Sequence, residues 1–112
     1  MKVSEEYSLI DIKVLQRYYK IDRVFITGHA AERFRQRGIR AVDIRIAVEN
    51  GEIVEQYPDD YPYLSCLVLG ETDNGYPLHI VMSDEGTASR IITAYFPDSD
   101  KWTEDWKTRK EN

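Results

Sequence analysis

The stretch AVDIRIAVENGEIVEQY, residues 41–57, changes its period at a single glycine. Ahead of Gly51 the apolar residues Val42, Ile46 and Ala47 recur at helical spacing, whereas residues 52–57 alternate as a half-buried strand does. Glycine is a common helix stop, because it enters the left-handed conformation without a Cβ penalty. Downstream of Gly51 the alternating period persists as far as the C-terminal tail. A chain whose helices come first and whose strands follow as a group belongs to the α+β class rather than the alternating α/β class.

Downstream, strands are expected at residues 64–69, 78–82 and 90–96. The segments PDDYP (58–62), TDNG (72–75) and DEG (84–86) separate them and are rich in turn-forming residues, so the strands should form an antiparallel meander. Upstream, residues 5–20 place Leu9, Ile12, Leu15 and Tyr19 at helical spacing. The short run RVFIT (23–27) reads as a strand leading directly into GHAAERFRQRGI (28–39), a helix from about His29 to Arg37 packed by Ala30 and Phe34 and stopped at Gly38. In the tail, residues 100–112, Trp102 and Trp106 stand four apart, which predicts a short terminal helix pinned by two indoles. The expected architecture is one α+β domain, an antiparallel sheet of four to five strands with helices packed on one face. Residues 1–22 would form an N-terminal helical extension and residues 23–112 the α+β domain.

With 112 residues the chain is large enough for a core that needs neither disulfide nor metal. The lone cysteine, Cys66, lies in an apolar run and reads as a small buried hydrophobe. There is no apolar run of membrane-spanning length, and MKVSEEYS has no apolar signal core, so a cytoplasmic protein with no membrane partner is expected. The net charge of −5 opposes indiscriminate binding to nucleic acid. Yet residues 17–45 carry eight Lys and Arg against three Asp and Glu. That is either a local anion site on an otherwise repelling body or a clustering that folding disperses.

The helix at 28–39 concentrates the question. His29, Arg33 and Arg37 stand four apart and share one flank, where like charges cost helix stability rather than add to it. In the strand at 78–82, alternation puts Leu78, Ile80 and Met82 on one face and His79 on the other. If helices cover the first face, His79 and Tyr95 project from an open one, where an imidazole can move a proton near neutrality. A strand histidine satisfied by a backbone carbonyl is the plainer reading of the same pattern. With two histidines, one cysteine and no CxxC, HExxH, Walker or dinucleotide motif, no metal and no cofactor are expected. The remaining set of His29, Arg33, Arg37, His79 and Tyr95 offers guanidinium groups for phosphate and groups for proton transfer, the requirements of phosphodiester chemistry without metal.

The boxes HAxxRxxxRGI (29–39), GEIVEQYP (51–58), PLHIV (77–81) and TAYxPD (93–98), with Trp102 beyond them, resemble the DUF4258 family of small bacterial proteins. The family often has serine after RGI, where this chain has Arg40, which leaves the cap of the following helix in question. The resemblance implies a fold related to the RelE-like and BrnT-like toxins, and members are commonly encoded beside zinc-finger antitoxins of the MqsA or YgiT type. It therefore implies a messenger RNA endoribonuclease of a toxin–antitoxin pair, acting on free or ribosome-bound RNA. In that reading His79 is base or acid, Arg33 and Arg37 hold the phosphorane, and His29 or Tyr95 supplies the second proton transfer. A non-catalytic module binding RNA or protein through the same cationic edge is the alternative.

Overall fold

The computed structural model describes residues 9–111. The part of the expected first helix at residues 5–8 lies outside the described residues. Helix α1 spans Ile12–Lys20 and starts at Asp11, whose carboxylate accepts from the Lys13 N–H at 2.9 Å. Strand β1, Val24–Ile26, runs straight into α2, Gly28–Gln36, where Thr27 Oγ1 accepts from the Ala30 N–H at 3.1 Å. Helix α2 ends as its sequence requires. Gly38 takes a φ of 73°, and the N–H groups of Gly38 and Ile39 return to the carbonyls of Arg35 and Phe34. Ile39 packs with Phe34 in the interior, the apolar contact that accompanies this kind of helix stop.

Helix α3, Ala41–Glu49, begins at Arg40. An arginine side chain has no acceptor for the first-turn N–H groups; Asp43 fastens this start of the helix differently, accepting from the Arg40 N–H at 2.8 Å and from its guanidinium at 2.7 Å. The departure from the family pattern is thus compensated within the same turn.

Strands β2 (Glu52–Tyr57), β3 (Leu64–Glu71), β4 (Pro77–Asp84) and β5 (Ser89–Tyr95) form the expected antiparallel meander. With β1 they make a five-stranded sheet in the order β1-β5-β4-β3-β2. Strand β1 is the one parallel member, pairing Val24 with Ser89 and Ile26 with Ile91. All three helices contribute to a core with one sheet face: Leu15 and Tyr18 from α1, Ala30 and Phe34 from α2, Ile44, Ala47 and Val48 from α3, and Cys66, Val68, Leu78, Ile80, Met82, Ile91 and Ala94 from the strands. Helix α3 lies very close on β3. A Cβ built on Gly70 would stand 1.8 Å from the Ala47 carbonyl oxygen, so only glycine fits beneath that helix.

The other sheet face departs from expectation. It is not open, and the tail is not a helix. After β5 the chain folds back over this face in a series of turns, closed by an isolated bridge between Trp102 and Arg109. Trp106 has a φ of 64°, a left-handed conformation that interrupts any helix through the two indoles. Leu67 and His79 are fully buried although neither belongs to the helix-side core.

Candidate functional site

His79 faces away from the helices, as alternation along β4 requires, and is sealed beneath the tail. Trp102, itself buried, meets it edge to face with ring centres 4.4 Å apart, and Tyr95, its neighbour on β5, does so at 5.3 Å. Both ring nitrogens are engaged. Nε2 lies 2.8 Å from the Trp106 carbonyl oxygen, which only accepts, so Nε2 carries the proton. Nδ1 is then the acceptor for the Tyr95 hydroxyl at 3.3 Å. Burial lowers the imidazole pKa, helped by nearby Arg109 and opposed by the Trp106 carbonyl and Glu55. The result is a neutral histidine with a fixed tautomer. Direct contact between His79 and a substrate is excluded by its complete burial, which corrects the expectation of an open sheet face and realises the carbonyl-satisfied reading.

A polar cluster surrounds this pair, and the sequence did not reveal it. The Arg109 guanidinium lies 4.6 Å over the Trp102 ring and grips Glu55 of β2 through two hydrogen bonds of 2.9 and 3.1 Å. Tyr57 donates to the same carboxylate at 2.6 Å. Burial pushes the Glu55 pKa up, but the hydrogen bonds from Arg109 and Tyr57 together bring it below the usual range. The Tyr57 phenol is pushed up to about 12 by burial and by its bond to the Glu55 carboxylate. Glu55, Tyr57 and His79 fall on one face by the register of β2, β3 and β4, but pairing across strands so distant in sequence leaves no local periodic signal.

Arg37 approaches from the other side. It follows α2 and reaches β5 beyond the end of three-residue β1, where the strand edge is unpaired. There Nη1 donates to the Ala94 carbonyl at 2.7 Å and to Thr93 Oγ1 at 3.2 Å, blunting the free edge. Nε and Nη2 make no hydrogen bond among the described residues. Thr93 and Tyr95 are two apart on one strand face, so their Cα atoms stand roughly 7 Å apart. Burial raises the Tyr95 pKa, leaving a neutral phenol.

The five sequence-selected residues therefore divide. Tyr95 and His79 meet at the end of β5, and Arg37 bonds to the neighbouring Thr93 and Ala94 without a hydrogen bond to either. Arg33 and His29 are exposed on α2 and make no polar contact among the described residues, and His29 stands about 12 Å along the helix axis from Arg37. Among the described residues, no three His, Cys, Asp or Glu side chains are grouped so as to hold a metal ion. Among the described residues no helix is long and apolar enough to cross a membrane.

Residues 26–96 match the family described as a domain of unknown function, DUF4258. The chain belongs to the DUF4258 family. Its matched stretch contains all five candidate residues and also Glu55 and Tyr57, whereas Trp102, Trp106 and Arg109 lie beyond it. The covering of His79 is thus contributed from outside the DUF4258 match. No curated protein and no solved structure matches the chain.

Proposed function

We propose that this DUF4258 protein is the toxin of a type II toxin–antitoxin pair, a cytoplasmic endoribonuclease that cuts messenger RNA without a metal ion. The observation that carries the reading is a guanidinium with unused nitrogens, which Arg37 anchors on Thr93 and Ala94 at the same strand end as the Tyr95 phenol, whose hydroxyl meets the acceptor nitrogen of His79. The relation to RelE-like and BrnT-like toxins that the DUF4258 resemblance implies supports the same reading.

In the reaction the Arg37 Nε and Nη2 groups hold a non-bridging oxygen of the scissile phosphate, with Arg33 on the same flank. The substrate's 2′-hydroxyl attacks phosphorus and gives its proton to Tyr95 Oη as Tyr95 passes its own to His79 Nδ1. The bond to the 5′-oxygen breaks, that oxygen takes a proton from solvent, and a 2′,3′-cyclic phosphate remains. His79 acts through Tyr95 as a positioning and proton-accepting residue, and the Trp106 carbonyl keeps its tautomer correct. His29, too distant for the same phosphate, serves an adjoining one. A zinc-finger antitoxin of the MqsA or YgiT type would silence the protein by laying carboxylates over Arg33 and Arg37.

The test is cleavage of a messenger RNA, free and ribosome-bound, in the presence of chelator. Cleavage should persist, 2′-deoxyribose at the cut position should abolish it, and Tyr95→Phe should reduce turnover about 100-fold or more while RNA still binds. Loss of cleavage in chelator, or equal cutting of the deoxy substrate, refutes the mechanism. The complete engagement of both His79 nitrogens favours a second reading, a non-catalytic module binding RNA or protein through the same edge. That reading predicts RNA or antitoxin binding with no wild-type cleavage at all.

A further inference from the structure

Immediately beyond the His79–Tyr95 pair, where β4 begins and β5 ends, an apolar cleft of about 420 Å³ is lined by Tyr76, Pro77, Phe96 and Pro97. Tyr76 and Phe96 stand edge to face with ring centres 6.4 Å apart, and both are substantially exposed, at 61% and 43%. Their rings lie outside the buried core. Two large aromatic groups held in water beside two prolines have little packing reason to be there. The prolines restrict the backbone on both walls, so the rings are presented from a stiff frame.

The position of the cleft identifies what fits it. Phe96 follows Tyr95 directly and lies two residues from Ala94, whose carbonyl anchors Arg37. The cleft therefore lies at the same strand end as the backbone carbonyl that anchors Arg37, although neither Arg37 nor Tyr95 lines it. A nucleotide offers an anionic phosphate joined to a flat, apolar-faced base, and here the guanidinium proposed to hold phosphate and an aromatic slot stand at one strand end. We infer that Tyr76 and Phe96 form a stacking subsite for one nucleobase of single-stranded RNA, next to the phosphate held by Arg37. This deepens the endoribonuclease reading and rests on it. Stacking between a base and aromatic rings tolerates any sequence, because every base has a π face. The subsite thus supplies register along the strand rather than sequence choice.

The experiment compares two probes with the full chain. One is a short single-stranded oligoribonucleotide with 2′-O-methyl sugars, which the proposed chemistry cannot cut; the other is an oligomer of the same length whose sugar–phosphate backbone carries no bases. The wild type should bind the base-bearing probe more tightly. In the Tyr76→Ala, Phe96→Ala double variant that affinity should fall about ten-fold, with binding to the abasic probe and the salt dependence unchanged. Phe96→Trp should retain wild-type affinity, and thermal melting of each variant checks that the fold is kept. A double variant that binds both probes as the wild type does overturns the subsite and leaves the endoribonuclease reading standing if the wild type cleaves RNA. Failure of the wild type to bind either probe, with no cleavage, overturns both.

Discussion

His79 shows how one buried side chain can tie a fold to pH. Its native pKa is lowered by burial, so the unfolded chain binds a proton more readily than the folded one. The stability it contributes is complete above its unfolded value, near pH 6.5, and is lost as pH falls through the folded value. Thermal melting of the wild type should therefore decline as pH falls below about 6.5, starting above the range where most carboxylates titrate. His79→Phe should flatten that decline, whatever its effect on absolute stability. An equal slope in the variant would place the titration elsewhere. The side of the sheet on which His79 stands was legible from alternation in PLHIV, whereas its burial was not, because the residues that bury it follow it by more than twenty positions. The thiol of Cys66 was legible in full: an apolar run predicted burial, and the side chain is fully buried with its pKa pushed up to about 12.

At the scale of elements, the change of period at Gly51 located α3 and β2, because both are governed by local spacing. Two relations escaped it. The parallel pairing of β1 with β5 joins residues more than sixty positions apart, and no hairpin turn announces such a pair. The tail offered a helical spacing of indoles, but it is held by tertiary contacts instead: Trp102 on His79, Arg109 on Glu55 and Trp102, and Lys107 on Glu52 at 3.1 Å. The Arg109 grip is partly exposed, so its ion pair and its stacking each contribute on the order of 1 kcal/mol or less. Arg109→Ala should lower unfolding free energy by about 1–2 kcal/mol, measured by urea titration, while Trp102→Ala should cost about 3–5 kcal/mol. Similar small losses from both would mean that the tail is not anchored by the indole. The contact of α3 with β3 is less forgiving. Gly70→Ala drives a methyl group into the Ala47 backbone, and neither partner is a flexible side-chain end. A loss of about 3 kcal/mol or failure to accumulate folded protein is expected, and an unchanged midpoint would show that α3 can slide on the sheet.

For the whole molecule, the basic excess of residues 17–45 is partly consumed within the structure. Arg35, Arg40 and Arg45 pair with Glu32, Asp43 and Glu49, while Arg33 has no acidic partner among the described residues and Arg37 bonds only to Thr93 and Ala94. Arg17, Lys20 and Arg23 likewise have no acidic partner among the described residues, so the unpaired cations extend beyond α2. The RNA binding proposed for the Arg33 and Arg37 flank should be sensitive to salt. If about three phosphates are contacted, the logarithm of affinity should fall against that of salt concentration with a slope near −2, reduced by about one unit in Arg33→Ala or Arg37→Ala. The same substitutions should weaken binding of the proposed antitoxin, measured by calorimetry. Unchanged affinity for both ligands would reduce the flank to a solvated helix surface.

The parallel union of β1 with β5 also fixes an order of events. Strand β1 and the helix behind it are synthesised early, but the strand on which β1 docks is among the last regular elements to be made. Contacts of long sequence separation form only after the intervening chain has closed on itself. Arg37 cannot find Ala94, nor Tyr95 its histidine, until translation has passed the end of β5. If the chain cuts messenger RNA as proposed, it would in this way be harmless while still attached to the message that encodes it.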